Sequence, residues 1–184
     1  MGVIKMKIAI TGHSAGIGQA LANEFALQGH EIIGLSRRNG FNIRSIPKIA
    51  DMIEPCDLFV NNAQVGFAQT ELLFELAKRW EGQRKSVIVV STMMTEHPSS
   101  SIPGLPMDEY YVQKIALEEA VKQLRAKTKL SITLVRPGNI ATSPEKTVPP
   151  AADVVVWAKH LVQILSIPEL FVSEISLGPR RVRS

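Results

Sequence analysis

The sequence has a single cysteine, Cys56, among its 184 residues. One cysteine cannot form an intramolecular disulfide, and together with only four histidines it does not supply a cysteine-based zinc site. We therefore expect no bound metal. We also expect a reducing compartment, the cytoplasm, as the location of the chain.

Long apolar runs are missing as well. The longest stretch without a charged side chain covers residues 8–23, and it is too short and too rich in polar residues and glycine to span a bilayer. Residues 1–7 lack the apolar core of a secretory signal. The sequence thus predicts a chain that neither crosses a membrane nor carries a targeting leader.

Positive and negative residues are both spread along most of the chain. Lys and Arg number 21 against 17 Asp and Glu, which leaves a net charge of +4. A nucleic-acid-binding surface needs basic residues clustered on one element. The only cluster is Arg-Arg-Val-Arg at 180–183, interpreted as a solvated terminus. We expect no nucleic-acid partner, and a phosphate-bearing small ligand suits the modest excess.

The remaining composition, 45% hydrophobic and 21% charged, is that of an ordinary globular protein, and the length predicts one domain over residues 1–184. Short runs rich in Val, Ile and Leu alternate with segments of helical period, including a short helix at 46–53 and a longer one at 151–165. This alternation predicts an α/β protein with a doubly wound parallel sheet and helices on both faces. The predicted strands are Lys7–Thr11, Glu31–Leu35, 57–60, 86–91, 130–135 and 170–175.

A glycine-rich turn follows the first predicted strand, reading Thr-Gly-His-Ser-Ala-Gly-Ile-Gly over residues 11–18. Gly12 permits a tight turn, Gly16 lets the backbone approach a pyrophosphate, and Gly18 lets the following helix pack closely. Amides at the helix start face the phosphates in such turns, and Ser14 adds a hydroxyl donor. The alternative interpretation is a structural turn without a ligand.

The second predicted strand runs into Ser36, Arg37 and Arg38. In dinucleotide-binding folds an acidic residue at this position binds the 2′-hydroxyl of the adenosine ribose and repels a 2′-phosphate. Arginine instead forks around a phosphate with charge-assisted hydrogen bonds. The pair therefore favours NADP over NAD, and the alternative is a solvated loop.

Tyr110 and Lys114 stand four residues apart at the start of a predicted helix, so they share one face. A lysine ammonium beside a phenol lowers the tyrosine pKa toward neutrality, which suits proton exchange with an alcohol oxygen. The same spacing is common on ordinary helices, where the pair is merely surface. Tyr111 has Ile115 four residues on, so we assign it to packing or to the substrate side.

Polar residues also end two central strands. Ser91 and Thr92 close the strand at 86–91, where hydroxyls can hold a substrate oxygen or simply cap the strand. Asn61 and Asn62 close the strand at 57–60, where they can bond neighbouring backbone and line an adenosine site, or form a turn.

Together these residues resemble the short-chain dehydrogenase/reductase family, in the family's order and from residue 7 to about residue 178. The resemblance implies a Rossmann-type sheet of about seven strands in a three-layer α/β/α arrangement that binds a nicotinamide cofactor. The matching pieces are Thr11, Gly12, Gly16 and Gly18; Asn61, Asn62 and Ala63; Ser91 and Thr92; Tyr110 and Lys114; and Pro137, Gly138 and Thr142.

The resemblance also assigns roles. Tyr110 is the implied acid/base, Lys114 binds the nicotinamide ribose and tunes Tyr110, and Ser91 or Thr92 steadies the carbonyl oxygen. Pro137 and Gly138 pass beside the nicotinamide. The implied cofactor-binding residues are Gly12, Ser14, Gly16, Ile17, Gly18, Ser36, Arg37, Arg38, Asn42, Ile43, Asn61, Asn62, Ala63, Tyr110, Lys114, Pro137, Gly138, Ile140 and Thr142.

The sequence departs from the family pattern at several positions. The chain is shorter than typical members, Gln64 stands where the family has glycine, and no asparagine is identified in the helix before the strand at 86–91. Residues 97–101 predict a flexible loop over the site. The short, proline-rich segment 143–150 predicts a shallow pocket that takes a small substrate or is completed by a partner surface.

These observations predict an NADP-dependent oxidoreductase that interconverts a small carbonyl compound and its alcohol. The alternatives are an NAD-dependent dehydrogenase and a nucleotide-binding sensor or scaffold with little catalysis. Val112, Ile115, Ala116 and Leu117 spread apolar character over a wide arc of the Tyr110 helix. With the family's habit of pairing through this helix, they predict a homodimer or homotetramer.

Overall fold

The computed structural model describes residues 4–96, 107–143 and 149–180. The predicted loop at 97–101 lies outside the described residues, as do most of the proline-rich segment at 143–150 and all but the first residue of the basic tail at 180–183. Two short 3-10 turns, Arg37–Asn39 and Met93–Thr95, follow β2 and β4. The elements are β1 (Lys7–Thr11), α1 (Gly16–Leu27), β2 (Glu31–Leu35), α2 (Ile46–Ile53), β3 (Leu58–Asn61), α3 (Ala68–Arg79), β4 (Ser86–Val90), α4 (Met107–Lys127), β5 (Ser131–Pro137), β6 (Ile140–Ala141), β7 (Ala152–Asp153), α5 (Val154–Leu165) and β8 (Glu174–Leu177).

The main sheet is parallel, with strand order β2-β1-β3-β4-β5-β8, while β6 and β7 form a separate parallel pair. Its central strands β1, β3, β4 and β5 are buried on both faces because helices cover each side, whereas the edge strands β2 and β8 are partly exposed. Ile8 and Ile10 of β1 pack toward α1 and α5, whereas Ala9 packs toward α2, α3 and α4. The predicted three-layer α/β fold is confirmed.

The main sheet has six strands among the described residues, one fewer than the resemblance implies. The difference lies between β2 and β3, where residues 36–57 hold a 3-10 turn and α2. A parallel crossover takes about a dozen residues or more. This stretch therefore fits one crossover but not a second crossover with a strand between, and β2 becomes the edge of the sheet.

Two element boundaries differ from the predicted ones by three residues or more. Leu170 and Phe171 were predicted within the last strand, but both are exposed and β8 begins only at Glu174. The last helix begins at Val154 rather than near residue 151 because the Asp153 carboxylate caps it by accepting hydrogen bonds from the amides of Val155 and Val156.

The order of the strands locates a crevice. From β1 the chain moves outward to β2 and then returns across the sheet to β3 on the other side. Ligands of open α/β sheets bind at the carboxyl ends of strands where the order reverses in this way. The glycine turn after β1 meets Asn62, the residue directly after β3, at this point. No helix among the residues that the structure describes has the length and apolarity to cross a membrane.

Candidate active site

The glycine turn between β1 and α1 has the backbone geometry that its sequence predicts. Gly12 and Gly16 have φ angles of +73° and +55°, the left-handed region that favours glycine. A Cβ added to Gly18 would lie 2.3 Å from the Gly12 carbonyl oxygen. The turn therefore packs directly under the first turn of α1, which is the close packing of the helix that Gly18 was predicted to allow.

Asn62 and Thr11 hold this turn against β3. The Asn62 side chain donates to the Thr11 carbonyl at 3.0 Å, and the Thr11 hydroxyl accepts from the amides of Asn62 and Ala63, both at 3.1 Å. The side-chain nitrogen of Asn62 lies 2.6 Å from where a Gly18 Cβ would be. Asn62 thus bonds neighbouring backbone, as predicted, and holds the glycine turn against the end of β3.

A cavity of about 300 Å³ opens beside the turn at the carboxyl ends of β1, β2 and β3. Eight of the predicted cofactor-binding residues line it, together with the apolar side chains of Leu35, Phe41 and Ile49, which offer a surface for a flat ring. The predicted residues in the lining are Gly12, Ser14, Ser36, Arg37, Arg38, Asn42, Ile43 and Ala63.

The end of β2 supplies the cationic wall of this cavity. The Asn39 side-chain carbonyl accepts from the Ser36 amide at 2.8 Å and from its hydroxyl at 3.1 Å, which fixes the turn that presents Arg37 and Arg38. The Arg38 guanidinium donates to the Ser14 carbonyl at 3.2 Å, so β2 and the glycine turn are joined across the cavity mouth.

These residues fit a phosphate-bearing nucleotide. Ala15, at the N-cap of α1, has no side-chain oxygen, so it cannot satisfy the first amides of the helix, which lie at the positive end of its dipole. Two arginines stand opposite, and no carboxylate lines the cavity within the part of the chain that the structure describes. The cradle therefore matches an anionic group on a nucleoside.

Lys114 is buried against α3 and β4. The residue is 3% exposed, and its ammonium donates to the Gln69 side-chain carbonyl and to the Val90 backbone carbonyl, both at 2.9 Å, and lies 5.6 Å from the centre of the Tyr110 ring. Burial lowers the Lys114 pKa to about 8, and the Glu118 carboxylate partly offsets that effect. An ammonium has three donors, so one remains for another acceptor.

Tyr110 differs from the prediction in its ionisation. Burial raises the pKa of the phenol above its usual value, and a side-chain hydrogen bond with Thr92 lowers it only in part. The expectation that Lys114 lowers the Tyr110 pKa is therefore wrong for this structure. The physical reason is that burial penalises the phenolate, while the ammonium is itself poorly solvated and directed toward Gln69 and Val90.

Thr92, rather than Ser91, is the hydroxyl beside the phenol. Thr92 is the hydroxyl that lowers the pKa of the Tyr110 phenol, and its oxygen accepts from the Met94 amide at 3.3 Å. The Ser91 hydroxyl points away and donates to the Glu118 carboxylate at 2.5 Å. Of the two hydroxyls that the sequence offered, the structure therefore favours Thr92, because the Ser91 hydroxyl is bonded to α4.

Gln69 is a site residue that the sequence analysis missed. It is 2% exposed, its carbonyl accepts from Lys114, and its amide donates to the backbone carbonyls of Asn61 at 2.6 Å and Val90 at 3.0 Å. One signal was available: Gln69 is the only polar residue in the buried stripe of α3 that continues with Leu72, Leu73 and Leu76.

Asn61 belongs to this buried cluster and not to the cavity. It is fully buried, and its side-chain amide donates to the Gln69 backbone carbonyl at 2.9 Å. Its predicted place at the adenosine side is therefore wrong, because successive residues at a strand end point to opposite faces of the sheet. Gln64, which replaces the family glycine, lines the cavity and donates to the Gln113 side chain of α4.

The remaining predicted residues lie outside the lining of this cavity. The Thr142 side chain lies 3.4 Å from where a Gly16 Cβ would be, beside the glycine turn. Pro137 ends β5, and Gly138 meets the Gly178 backbone so closely that a Cβ would lie 2.9 Å from the Gly178 Cα. Ile17 and Ile140 pack against the core under α1 and α5, so they do not line the cavity.

Comparison with known proteins identifies the fold. A short-chain dehydrogenase/reductase from Vibrio parahaemolyticus superimposes with a TM-score of 0.75 at 18% identity, covering 95% of this chain and 100% of that one. A short-chain dehydrogenase from Burkholderia cenocepacia in complex with NADP gives 0.72 at 15% identity, covering 97% and 90%. The 3-alpha-hydroxysteroid dehydrogenase from Pseudomonas sp. complexed with NADH gives 0.66 at 19%, covering 93% and 94%.

No protein-family model matches the sequence, and a search of curated proteins finds no match. The similarity to solved structures establishes the fold. The chain has the short-chain dehydrogenase/reductase fold, as the resemblance implied.

Proposed function

We propose that this chain is a short-chain oxidoreductase that uses NADP to interconvert a small carbonyl compound and its alcohol. The observation that carries the proposal is the meeting of Tyr110, Lys114 and Thr92 at the same sheet edge as the glycine turn. When bound, the nicotinamide cofactor supplies or accepts the hydride. The residues of the chain bind it, orient the substrate oxygen and move the proton.

Tyr110 is the proton donor in the reducing direction. Because burial raises the pKa of its phenol, the group is protonated at neutral pH, which is the form that a carbonyl oxygen needs when it becomes an alcohol. Thr92 bonds the same phenol and steadies the oxygen that receives the proton. The third donor of Lys114 is assigned to the cofactor ribose.

The preference for NADP rests on charge. Arg37 and Arg38 line the cavity after β2, and Ser36 stands where an acidic residue would repel a 2′-phosphate. Gly12, Gly16 and the amides at the start of α1 are assigned to the pyrophosphate, and Asn42 and Ile43 to the adenine. Thr142, beside Gly16, is assigned to the phosphates or to the nicotinamide amide.

A second candidate is a nucleotide-binding sensor with little catalysis. The observation that favours it is that Lys114 is held by Gln69 and Val90 while the Tyr110 pKa is raised rather than lowered. In the oxidising direction little of such a tyrosine is in the phenolate form that accepts the proton. A sensor would bind NADPH but reduce no member of a carbonyl panel.

We also propose that one domain in the cytoplasm carries both sites and that the chain forms a homodimer or homotetramer through α3 and α4. The support is a group of exposed apolar side chains on these adjacent helices and at the N-cap of α3, which a second copy would cover: Phe67, Phe74, Val112 and Ile115. Light scattering that detects only monomer would contradict the oligomer.

The first experiment is calorimetric titration with NADPH and, separately, NADH, followed by assay of Tyr110→Phe. We expect NADPH to bind more tightly, and we expect Tyr110→Phe to lose turnover on a carbonyl panel while it keeps cofactor binding. Undiminished turnover in Tyr110→Phe would refute the mechanism. Binding of neither cofactor would refute the oxidoreductase and sensor proposals together.

A further inference from the structure

Glu118 lies on the face of α4 that carries the proposed active-site residues. Tyr110, Lys114 and Glu118 follow one another at intervals of four residues, which places them in one row along the helix. Glu118 does not reach the cavity beside the glycine turn. Its carboxylate meets the hydroxyls of Ser91 and Thr95, the residues on either side of the Thr92 segment.

The contacts with these hydroxyls are short and converge on one oxygen. Oε1 of Glu118 accepts from the Ser91 hydroxyl at 2.5 Å and lies 2.8 Å from the Thr95 hydroxyl. The Thr95 oxygen is also 2.7 Å from the Thr92 backbone carbonyl, so its single proton is shared between the two acceptors. The backbone on both sides of the Thr92 side chain is thus tied to one carboxylate.

The carboxylate is itself immobilised. Arg136 of β5 grips both of its oxygens: the guanidinium Nη2 lies 2.6 Å from Oε2, and Nε lies 3.1 Å and 3.0 Å from Oε1 and Oε2. Both side chains are only 14% exposed. A paired, bidentate and largely buried carboxylate has almost no rotational freedom, so the hydroxyls that bond it are fixed to β5 as well as to α4.

We propose that Glu118 is a positioning residue that holds the Thr92 hydroxyl against the Tyr110 phenol through Ser91 and Thr95. The inference rests on the proposed function for the roles of Thr92 and Tyr110, and it gives Ser91 a supporting role instead of a catalytic one. It also explains why a buried ion pair stands directly behind the site, where apolar residues would fill the same space.

The physical basis is geometric. Proton transfer and hydrogen bonding to a reacting oxygen require the donor to be held within a fraction of an ångström of its productive place. Thr92 begins a 3-10 turn, a short element with little rigidity of its own, and α4 carries Tyr110 as a separate unit. A carboxylate that is anchored on α4 and bonded to both flanks of Thr92 fixes the distance between the two.

The experiment measures the Tyr110 phenol directly. The sequence has two tyrosines, so Tyr111→Phe leaves Tyr110 as the only one, and tyrosinate absorbance then reports its pKa without any substrate. In this background Ser91→Ala and Thr95→Val remove the two hydroxyls while the Glu118–Arg136 pair stays intact. We expect both variants to raise the Tyr110 pKa in the direction of Thr92→Val, because the Thr92 hydroxyl donates to the phenolate.

Two further variants separate positioning from folding. Glu118→Met combined with Arg136→Met removes both charges together, which leaves no unpaired ion in the interior. Adding Ser91→Ala to that pair is expected to cause no additional change in the Tyr110 pKa. Glu174→Gln is the matched control, since Glu174 also bonds Arg136, at 2.9 Å, but touches neither Ser91 nor Thr95. It is expected to leave the Tyr110 pKa and turnover unchanged.

Kinetics supply the second readout. Ser91→Ala and Thr95→Val are expected to lower kcat by about 10- to 100-fold, the scale of a misplaced catalytic group, with an unchanged dissociation constant for NADPH. The proposal is overturned if both leave the Tyr110 pKa unchanged while Thr92→Val shifts it. It is also overturned if Ser91→Ala abolishes turnover with no shift. Absence of carbonyl reduction by the unsubstituted chain counts against the proposed function alone, because the titration needs no substrate.

Discussion

The Lys114 ammonium on α4 donates to the side-chain carbonyl of Gln69 on α3, at 2.9 Å, in a region where both residues are almost fully buried. Gln69 accepts a hydrogen bond from the ammonium but does not neutralise its charge, since an amide carbonyl offers a dipole and no opposite charge. The cost of burying the ammonium is therefore only partly repaid. This explains why the Lys114 pKa falls to about 8 from its ordinary 10.5.

The depressed pKa of Lys114 predicts that stability depends on pH in the alkaline range. The unfolded chain holds this proton up to about pH 10.5, whereas the folded chain releases it near pH 8. The folded chain is therefore most stable, relative to the unfolded chain, above pH 10.5, where Lys114 is neutral in both states. This gain in stability is lost as the pH falls through 8, because the buried amine then becomes charged. The difference amounts to about 3 kcal/mol of the free energy of unfolding.

The comparator for this prediction is Lys114→Met, which cannot titrate at that position. Chemical unfolding of both proteins across this range should show that the unsubstituted chain gains stability relative to Lys114→Met as the pH rises. Taking the difference between the two proteins cancels the other lysines and tyrosines. A difference that stays constant from pH 7 to pH 10.5 would contradict the depressed pKa.

Gln69→Glu is predicted to raise the pKa of Lys114. The substitution keeps the shape of the side chain and places a carboxylate oxygen where the amide carbonyl accepts from the ammonium. NMR titration of labelled lysine side chains measures the change without a substrate. Gln83→Glu serves as the matched control because Gln83 lies at the surface after α3 and its side chain bonds the Arg79 carbonyl, away from Lys114. Equal titration of Lys114 in both variants would refute the role of Gln69.

Much of the fold could be predicted because buried parallel strands are short apolar runs with glycine or polar residues at their ends. β1 and β2 agree with the prediction in every residue, and α2 does too. The sheet's missing strand could not be read from periodicity, because it depends on the length available for crossovers. The start of β8 could not either, since Leu170 and Phe171 are as apolar as strand residues yet lie exposed at the edge.

The parts of the candidate site that could be predicted are those where the backbone conformation requires a particular residue. The parts that could not be predicted depend on how deeply a side chain is buried and which way it points. Gly12 and Gly18 are fixed by the conformation and space of the turn. Asn61 and Asn62 look alike in sequence, but one points toward Gln69 and the other toward Gly18, which only the register of β3 determines. The Tyr110 pKa depends on how deeply the phenol is buried, and spacing to Lys114 carries no information on depth.

Arg37 and Arg38 are predicted to set the choice between cofactors. Replacing both with alanine removes the cationic wall, so NADPH should bind about 10- to 100-fold more weakly, the worth of a charge-assisted hydrogen bond, while NADH binding changes little. Calorimetric titration of each cofactor measures both effects. Equal loss for the two cofactors would show that the arginines support the cavity rather than recognise a 2′-phosphate.

Ser36→Asp is the complementary test of the same wall. A carboxylate at this position would accept from a ribose 2′-hydroxyl and repel a 2′-phosphate, so preference should move from NADPH toward NADH. Ser36→Ala is the matched control, because it removes the hydroxyl bonded to Asn39 without adding charge. If Ser36→Ala shifted the preference as far as Ser36→Asp, the effect would come from the turn and not from electrostatics.

Gly18→Ala is predicted to damage the cofactor site more than the fold around it. The added methyl would lie 2.3 Å from the Gly12 carbonyl oxygen and 2.6 Å from the Asn62 amide, and neither the backbone nor an amide bonded to Thr11 can yield without opening the turn. The opened turn should lose NADPH binding, and the strain should lower the free energy of unfolding by about 1–3 kcal/mol, as in overpacked cores.

Gln19→Ala provides the comparison for that variant, because Gln19 is the next residue of α1 and its side chain is exposed. It should leave both stability and NADPH binding close to those of the unsubstituted chain, since surface substitutions outside special contacts stay within about 0.5 kcal/mol. Denaturant unfolding and calorimetry on the two variants together decide the point. If Gly18→Ala bound NADPH normally, α1 would not need its close approach to the turn, and the phosphate cradle would have to lie elsewhere on the sheet edge.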